Sequence, residues 1–242
     1  MSSAPKIYPF GTSAILLSWE HNIDENTSWC VRLANDFIKN EFADYITETN
    51  YGFNEIAVYL KEKVNVQRLM EQLAVKTERL TFDKKSFPTQ IYDIPVCYNE
   101  NFGPDLKRLC EQKEITREKF RELHSDVLYP IFFLGFLPGF PYLGGLNPKI
   151  AFPRKKTPSK KVPAGAVGIA GKQTGIYTID SPGGWNIIGR TPLKLFDAKK
   201  KNPVVLRAGN YIRFRPIELE EYHSIEKRVK NGNYSIEKKT KK

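Results

Sequence analysis

Residues 129–192 read YPIFFLGFLPGFPYLGGLNPKIAFPRKKTPSKKVPAGAVGIAGKQTGIYTIDSPGGWNIIGRTP, and this stretch decides the fold. It holds most of the glycines and prolines of the chain. Glycine reaches positive φ at little steric cost, and proline fixes φ and removes a donor, so no long helix survives that density of breakers. Short apolar strands joined by specific turns remain, with aromatic side chains between them. The pattern predicts an all-β, barrel-like domain, closed by LFDA, VVLRAG and YIRFRP within residues 195–216. Polar side chains among glycines stand where backbone and ligand can approach closely. Arg154, Gln173, Thr174, Tyr177, Trp185, Arg190 and Thr191 sit among those turns.

Two nucleotide motifs fail on this stretch. A Walker A loop needs GxxxxGK followed by Ser or Thr, and here Gly171-Lys172 is followed by Gln173, five residues separate it from Gly165, and no helix follows. A dinucleotide fingerprint lacks its strand-turn-helix context. Positively, Gln173 offers donor and acceptor together, and Arg190 a fixed fork for carboxylate or phosphate. Ser181-Pro182-Gly183-Gly184 reads as a turn that leaves amides free for an anion. FLGFLPGFPYLGGL places Phe140 and Tyr142 either in a core or in a pocket wall.

Working outward, the first ninety residues give strand, helix, strand, strand, helix, strand. Ser13–Trp19, Tyr45–Thr49, Glu55–Leu60 and Gln90–Tyr98 are the strands, with Asn26 or Thr27 and then Asn65 as helix caps. That order is the split βαβ arrangement of a ferredoxin-like domain. Residues 99–128 read as a helical bridge, with Thr116 a cap and Pro130 a stop. His124 lies at the end of the bridge. It is the only histidine near the glycine-rich stretch in sequence and is either a structural group or a proton carrier. The expected division is residues 1–98, residues 99–222 and a basic, disordered tail over 223–242.

The net charge of +11 is uneven. Residues 154–161 carry five positive charges and residues 227–242 a net of six, so the remainder is balanced. That excludes a broad nucleic-acid-binding face. Cys30, Cys97 and Cys110, and His21, His124 and His223, show neither disulfide nor metal-ligand spacing. No signal peptide and no membrane span are read, so a soluble cytoplasmic protein is expected.

GFLPGFPYLGGL, PRKKTP, VPAGAVGIAGKQTGIY and SPGGWNIIGRTPLKLFD, with FGPDL at 102–106 and LHS at 123–125, resemble the KipI family, also called PxpB or allophanate hydrolase subunit 1. The chain has Ser159 and Ala166 where that family often has an arginine and a serine, and Gly11-Thr12-Ser13-Ala14-Ile15 where it has an acidic residue. The resemblance implies an α+β protein with a ferredoxin-like N-terminal domain and a cyclophilin-like β-barrel. It implies the PxpB-type subunit of an ATP-dependent 5-oxoprolinase, working with a KipA/PxpC-like subunit together with a PxpA-like subunit. The alternative is a regulatory inhibitor of a sensor histidine kinase. On the enzymatic reading His124, Gln173 and Arg190 are the catalytic candidates. Arg154, Tyr177, Phe140, Tyr142, Gly183, Gly184 and Thr191 are the substrate-binding candidates, each with a rival role in internal packing or hydrogen bonding.

Overall fold

Alternation organises the N-terminal part. In Glu55–Leu60, Ile56, Val58 and Leu60 are buried while their neighbours face out, the period-two pattern of a sheet with one covered face. The computed structural model describes residues 4–19, 24–78, 80 and 89–241. They fall into two compact units, residues 1–87 and 88–242. The first holds β1 (Lys6–Pro9), β2 (Ala14–Ser18), α1 (Glu25–Glu41), β3 (Ile46–Tyr51), β4 (Glu55–Leu60) and α2 (Val66–Glu78). Its sheet has the order β1-β2-β4-β3, antiparallel throughout, so β4 lies between β2 and β3 and α1 connects those two. Val31, Ala34 and Ile38 of α1 and Leu69 and Leu73 of α2 pack on Ile15, Leu17, Ile56 and Val58. The cap of α1 is Asp24, whose carboxylate accepts the Thr27 amide at 2.8 Å, in place of the expected Asn26 or Thr27. Asn65 caps α2 as read, accepting the Arg68 amide at 3.0 Å.

One strand of the expected series goes elsewhere. The fourth strand of this sheet is β1, folded back on β2 through Gly11 at φ +69°. The Gln90–Val96 strand, β5, pairs in the second unit instead, parallel to β13 (Tyr211–Pro216). Val96, Ile94 and Tyr92 on β5 meet Ile212 and Phe214, apolar partners that the first sheet does not supply. Among the scattered histidines, His21 lies outside the described residues.

The rest of the second unit comprises α3 (Leu106–Lys113), α4 (Arg117–Ser125), β6 (Leu128–Leu134), β7 (Pro141–Leu143), β8 (Ser159–Val162), β9 (Ala166–Ala170), β10 (Gln173–Ile176), β11 (Ser181–Gly183), β12 (Asn186–Arg190), α5 (Leu219–Lys230) and β14 (Lys238–Thr240). Eight strands form one sheet, in the order β12-β9-β10-β7-β6-β13-β5-β14, and β11 pairs with β8 separately. The architecture is thus mixed α+β with several sheets and no closed barrel among the described residues. The two arms approach at one bridge, where Cys97, just after β5, exchanges two backbone hydrogen bonds with Arg190 at 2.9 and 3.0 Å. The face between them is filled by Ile94, Val96, Ile131, Leu143, Val167, Ile169, Ile176, Ile188 and Ile212. Of the three closing segments read from sequence, only YIRFRP is a strand, while LFDA and VVLRAG meet in a single bridge, Phe196 with Val204.

The C-terminal segment is not a loose tail. α5 buries Tyr222 and Ile225, Tyr234 and Ile236 pack on the same core, and β14 adds to the outer edge of β5. Arg213 grips the buried Asp93 carboxylate through Nε and a terminal nitrogen, both at 2.6 Å, and Lys239 adds a contact at 3.4 Å. Part of the basic excess therefore serves docking of the terminus. No described helix is long and apolar enough to cross a membrane.

Candidate functional site

The strand register sorts the predicted residues onto faces. Thr174 and Ile176 of β10 point into the core, so Gln173 and Gly175 point the other way, onto the outer face of β7, β10, β9 and β12. That face carries its own apolar cluster of Phe140, Ala166, Ala170, Tyr177, Trp185 and Ile187, joined by Leu137 and Tyr142. Phe140 is its hub, with ring centroids at 5.0 Å from Tyr142, 5.3 Å from Tyr177 and 5.3 Å from Trp185, all edge-on. A stripe of small residues makes room for it. A Cβ on Gly175 would stand 2.8 Å from the Phe140 ring and 2.9 Å from the Pro141 carbonyl, so only glycine fits there. Tyr142 is half-buried and stacks on Phe133 at 4.4 Å. Tyr177 is fully buried, and its hydroxyl packs against Gly183, beside the Trp185 backbone.

The segment Pro153–Lys155 is tied down over this face. The Pro153 carbonyl accepts from the Asn186 side-chain amide at 2.8 Å, and Asn186 accepts from Arg108 at 2.6 Å. The Lys155 amide donates to the Gly184 carbonyl at 2.8 Å. The Lys155 ammonium reaches Asp105 at 2.6 Å and Ser159 at 3.2 Å. Asp105 also accepts the Ile187 amide at 2.7 Å and lies 3.6 Å from Arg108. Arg154, between two anchored residues, is itself exposed and makes no hydrogen bond or ion pair among the described residues. Its charge acts on two nearby phenols. Burial raises the Tyr142 and Tyr177 hydroxyls above the ordinary value of 10.0, and Arg154 pulls both the other way. A fixed backbone with a free guanidinium near an aromatic cluster can receive a small anion that also has an apolar or planar body.

The structure thus brings Arg154, Gln173, Phe140, Tyr142, Tyr177, Gly183 and Gly184 to one face. It leaves three candidates out. His124 is wholly enclosed and lies 4.6 Å from the Phe214 ring in a stacked pair. Its Nδ1 meets the Tyr98 hydroxyl at 2.7 Å and its Nε2 meets Thr174 at 2.9 Å. The Thr174 hydroxyl donates to the Gly168 carbonyl, so it accepts from Nε2–H, and Nδ1 accepts from Tyr98. Burial pushes the imidazole pKa down to about 3, so this is a neutral structural group and not a proton carrier. Arg190 donates from Nε to the Ala164 carbonyl at 2.9 Å and lays its guanidinium over Phe102 at 5.9 Å. Thr191 is buried, its amide on the Gly165 carbonyl at 2.8 Å. These two hold the Pro163–Gly165 turn, at the end of β12.

Two further expectations change. Ser181–Gly183 is strand β11 in a ladder with β8, not an open anion-binding turn. Of the basic run, Lys155 is internal and Lys161 pairs with Asp180 at 3.1 Å, which leaves Arg154 with Lys156 and Lys160 facing out. The residues that reasoning from sequence missed are Asp105, Arg108 and Asn186, which position Arg154 from a distance. Asp105 was visible only as the acid in FGPDL, where a helix first turn explains it equally well. A separate cleft of about 140 Å³ lies between Cys97, Leu106, Arg117, Arg121 and Ile217, but Arg117 and Arg121 there are engaged by Glu100 and Glu218. Among the described residues no three His, Cys, Asp or Glu stand together as a metal site.

Comparison with known proteins agrees with the fold. The family model of the carboxyltransferase domain, subdomain C and D, matches residues 5–206. The chain is 34% identical over 229 residues to the 5-oxoprolinase B-type subunit of Bacillus subtilis, covering 90% of this chain and 95% of that one. It is 36% identical over 216 residues to the 5-oxoprolinase B-type subunit of Escherichia coli O157:H7, covering 87% and 95%. The crystal structure of the Kluyveromyces lactis urea amidolyase superposes with a TM-score of 0.82 at 19% identity, covering 99% of this chain and 16% of that one, a likeness of fold alone. With its family match and two relatives of nearly the same length, the chain belongs to the carboxyltransferase subdomain C and D family and, within it, to the KipI/PxpB group of 5-oxoprolinase subunits.

Proposed function

We propose that this chain is the PxpB-type subunit of an ATP-dependent 5-oxoprolinase, which opens the lactam of 5-oxoproline to L-glutamate with a KipA/PxpC-like subunit together with a PxpA-like subunit. The observation that supports this reading most is the exposed, unpaired Arg154, whose flanking residues Pro153 and Lys155 are anchored at the edge of the aromatic face by Asn186, Gly184 and Asp105. A carboxylate on a five-membered lactam is a small anion with a planar body. Arg154 would hold the carboxylate through paired N–H donors, and Tyr142 would receive the ring. Gln173, on the same face, can donate to the lactam oxygen or accept from its N–H. Amide resonance makes the lactam a poor electrophile, and ATP, when bound in the assembled enzyme, supplies the phosphoryl group that activates its oxygen. Arg154 and Lys156 suffice for a carboxylate and a share of a phosphate. The remaining charge of a triphosphate calls for partner groups, which accords with activity only in complex.

On the same reading the second unit is a cyclophilin-like barrel whose arms meet at the Cys97–Arg190 bridge, the first unit is a ferredoxin-like domain ending before residue 88, and the ATP requirement accords with a cytoplasmic protein. The test is coexpression with the two partner subunits, followed by measurement of ATP-dependent glutamate release. Arg154→Ala raises KM for 5-oxoproline about 10- to 100-fold, the loss of a charged hydrogen-bonded contact, and leaves the melting temperature unchanged. The reading fails if the wild-type assembly releases no glutamate while this chain alone blocks autophosphorylation of a sensor histidine kinase.

A further inference from the structure

The loop between β6 and β7 carries an anomaly that the proposed binding face has not used. Phe136 has φ +66°, a left-handed conformation that is uncommon for a bulky side chain and unfavourable without compensation. It is also 63% exposed, the most open of the large hydrophobic side chains among the described residues. Glycines flank this loop at 135 and 139, and the loop is held in shape. The Leu137 amide donates to the Gly135 carbonyl at 2.8 Å, the Phe140 amide to the Leu137 carbonyl at 3.0 Å, and the Thr178 hydroxyl to the Pro138 carbonyl at 2.8 Å. The strained backbone therefore presents one ring in a set place. That place adjoins the face described above. Phe136 stands edge-on to Phe140 at 5.7 Å and to Tyr177 at 6.4 Å, and Tyr177 is one of the two phenols that sense Arg154.

A leucine, a lysine or a glycine would close this turn with no exposed ring, and glycine would do so without strain. An exposed aromatic held in an unfavourable conformation against Tyr177, whose hydroxyl lies at Gly183 next to the Gly184 carbonyl that anchors Lys155, is the arrangement expected of a ligand contact. We propose that Phe136 is a specificity-determining residue: its ring forms a second wall against the apolar body of a small cyclic carboxylate held by Arg154, so that the site favours a ring over an open chain of the same polarity. This inference rests on the placement of 5-oxoproline at Arg154.

The experiment compares 5-oxoproline with N-acetylalanine, which has the same carboxylate and amide without the ring. Binding is measured by calorimetry on the full chain and on the chain assembled with its partner subunits. Wild type is expected to prefer the ring. Phe136→Gly weakens 5-oxoproline on the order of 3- to 10-fold, the contribution of one aromatic contact, and leaves N-acetylalanine unchanged. The same variant keeps or raises the melting temperature, because glycine accepts the positive φ. Phe136→Tyr restores the preference. Arg154→Ala weakens both ligands. If Arg154→Ala loses both while Phe136→Gly retains the ring preference, the wall is overturned and the anion site stands. If neither protein form binds either ligand, the anion site falls and the wall with it.

Discussion

Replacing Asp105 by Asn separates a fixed charge from a fixed shape. The Asp105 carboxylate accepts from the Lys155 ammonium at 2.6 Å and from the Ile187 amide at 2.7 Å. Asparagine keeps an oxygen for Ile187 but leaves Lys155 facing a neutral group. The two side chains of the pair are 19% and 13% exposed, so water replaces the lost contact poorly. A hydrogen bond to a charged group contributes about 1.5–3 kcal/mol, against about 0–1 kcal/mol for an ion pair at the surface. Asp105→Asn should therefore destabilise the second unit by about 2 kcal/mol, and a double-mutant cycle with Lys155→Met should give a coupling of about 1.5–2 kcal/mol. The Lys161–Asp180 pair, 74% and 52% exposed, is the internal control, with a coupling below about 0.5 kcal/mol. Urea unfolding followed by Trp185 fluorescence reports on the right unit, in a background where Trp19 and Trp29, in the first unit, are Phe. The loosened Pro153–Lys155 segment should also raise KM for 5-oxoproline. Equal couplings for the two pairs would refute the claim that Asp105 anchors the Arg154 segment.

His124 and Asp93 both lose stability as pH falls, the first because burial keeps it neutral and the second because cations keep it charged. The His124 pKa of about 3 lies below its unfolded value near 6.5, so the unfolded chain takes up the proton first as pH falls. Stability should drop from pH 6.5 toward 3, by about 1.4 kcal/mol per pH unit, and His124→Asn should flatten that slope in urea titrations at each pH. For Asp93, burial alone would raise the pKa, but Arg213 and Lys239 outweigh it and hold the carboxyl below the ordinary 3.8. Its contribution is present above that value and disappears as pH falls through the lowered one. Asp93→Asn should speed amide exchange at Lys238–Thr240 more than at Ile212–Phe214, because β14 loses an anchor while β13 keeps its ladders on both sides.

Local chemistry was legible in the sequence, and long-range pairing was not. The Asn65 and Thr116 caps and the alternation in β4 depend on neighbours within a few residues, and they stand where the sequence puts them. β5 has the composition of a strand for either unit, and only the apolar face of β13, far along the chain, decides which. The C-terminal residues are basic enough to suggest a solvated end. Their order comes from Leu219, Tyr222, Ile225 and Val229, a helical period that the surrounding lysines and arginines mask, and from Tyr234 and Ile236 beyond it. Of the candidate site, the glycine and aromatic pattern pointed to one face. His124 failed because its burial is set by Phe214, Tyr98 and Thr174, none of them close in sequence. Arg190 failed for a similar reason, since its partner Ala164 is reached across the sheet. Phe136 carries no local mark, because a positive φ at a bulky residue is imposed by the loop around it.

The parallel pairing of β5 with β13 has a consequence for synthesis. Asp93 and Arg213, neighbours in that ladder, are 120 residues apart in the chain. At 5–20 residues per second the ribosome needs roughly 6–24 s to deliver the second strand after the first. Throughout that interval Tyr92, Ile94 and Val96 emerge with no ladder on either edge, since β14 is made later still. A nascent chain at that stage exposes an apolar strand with both edges unpaired, the kind of species prone to aggregation.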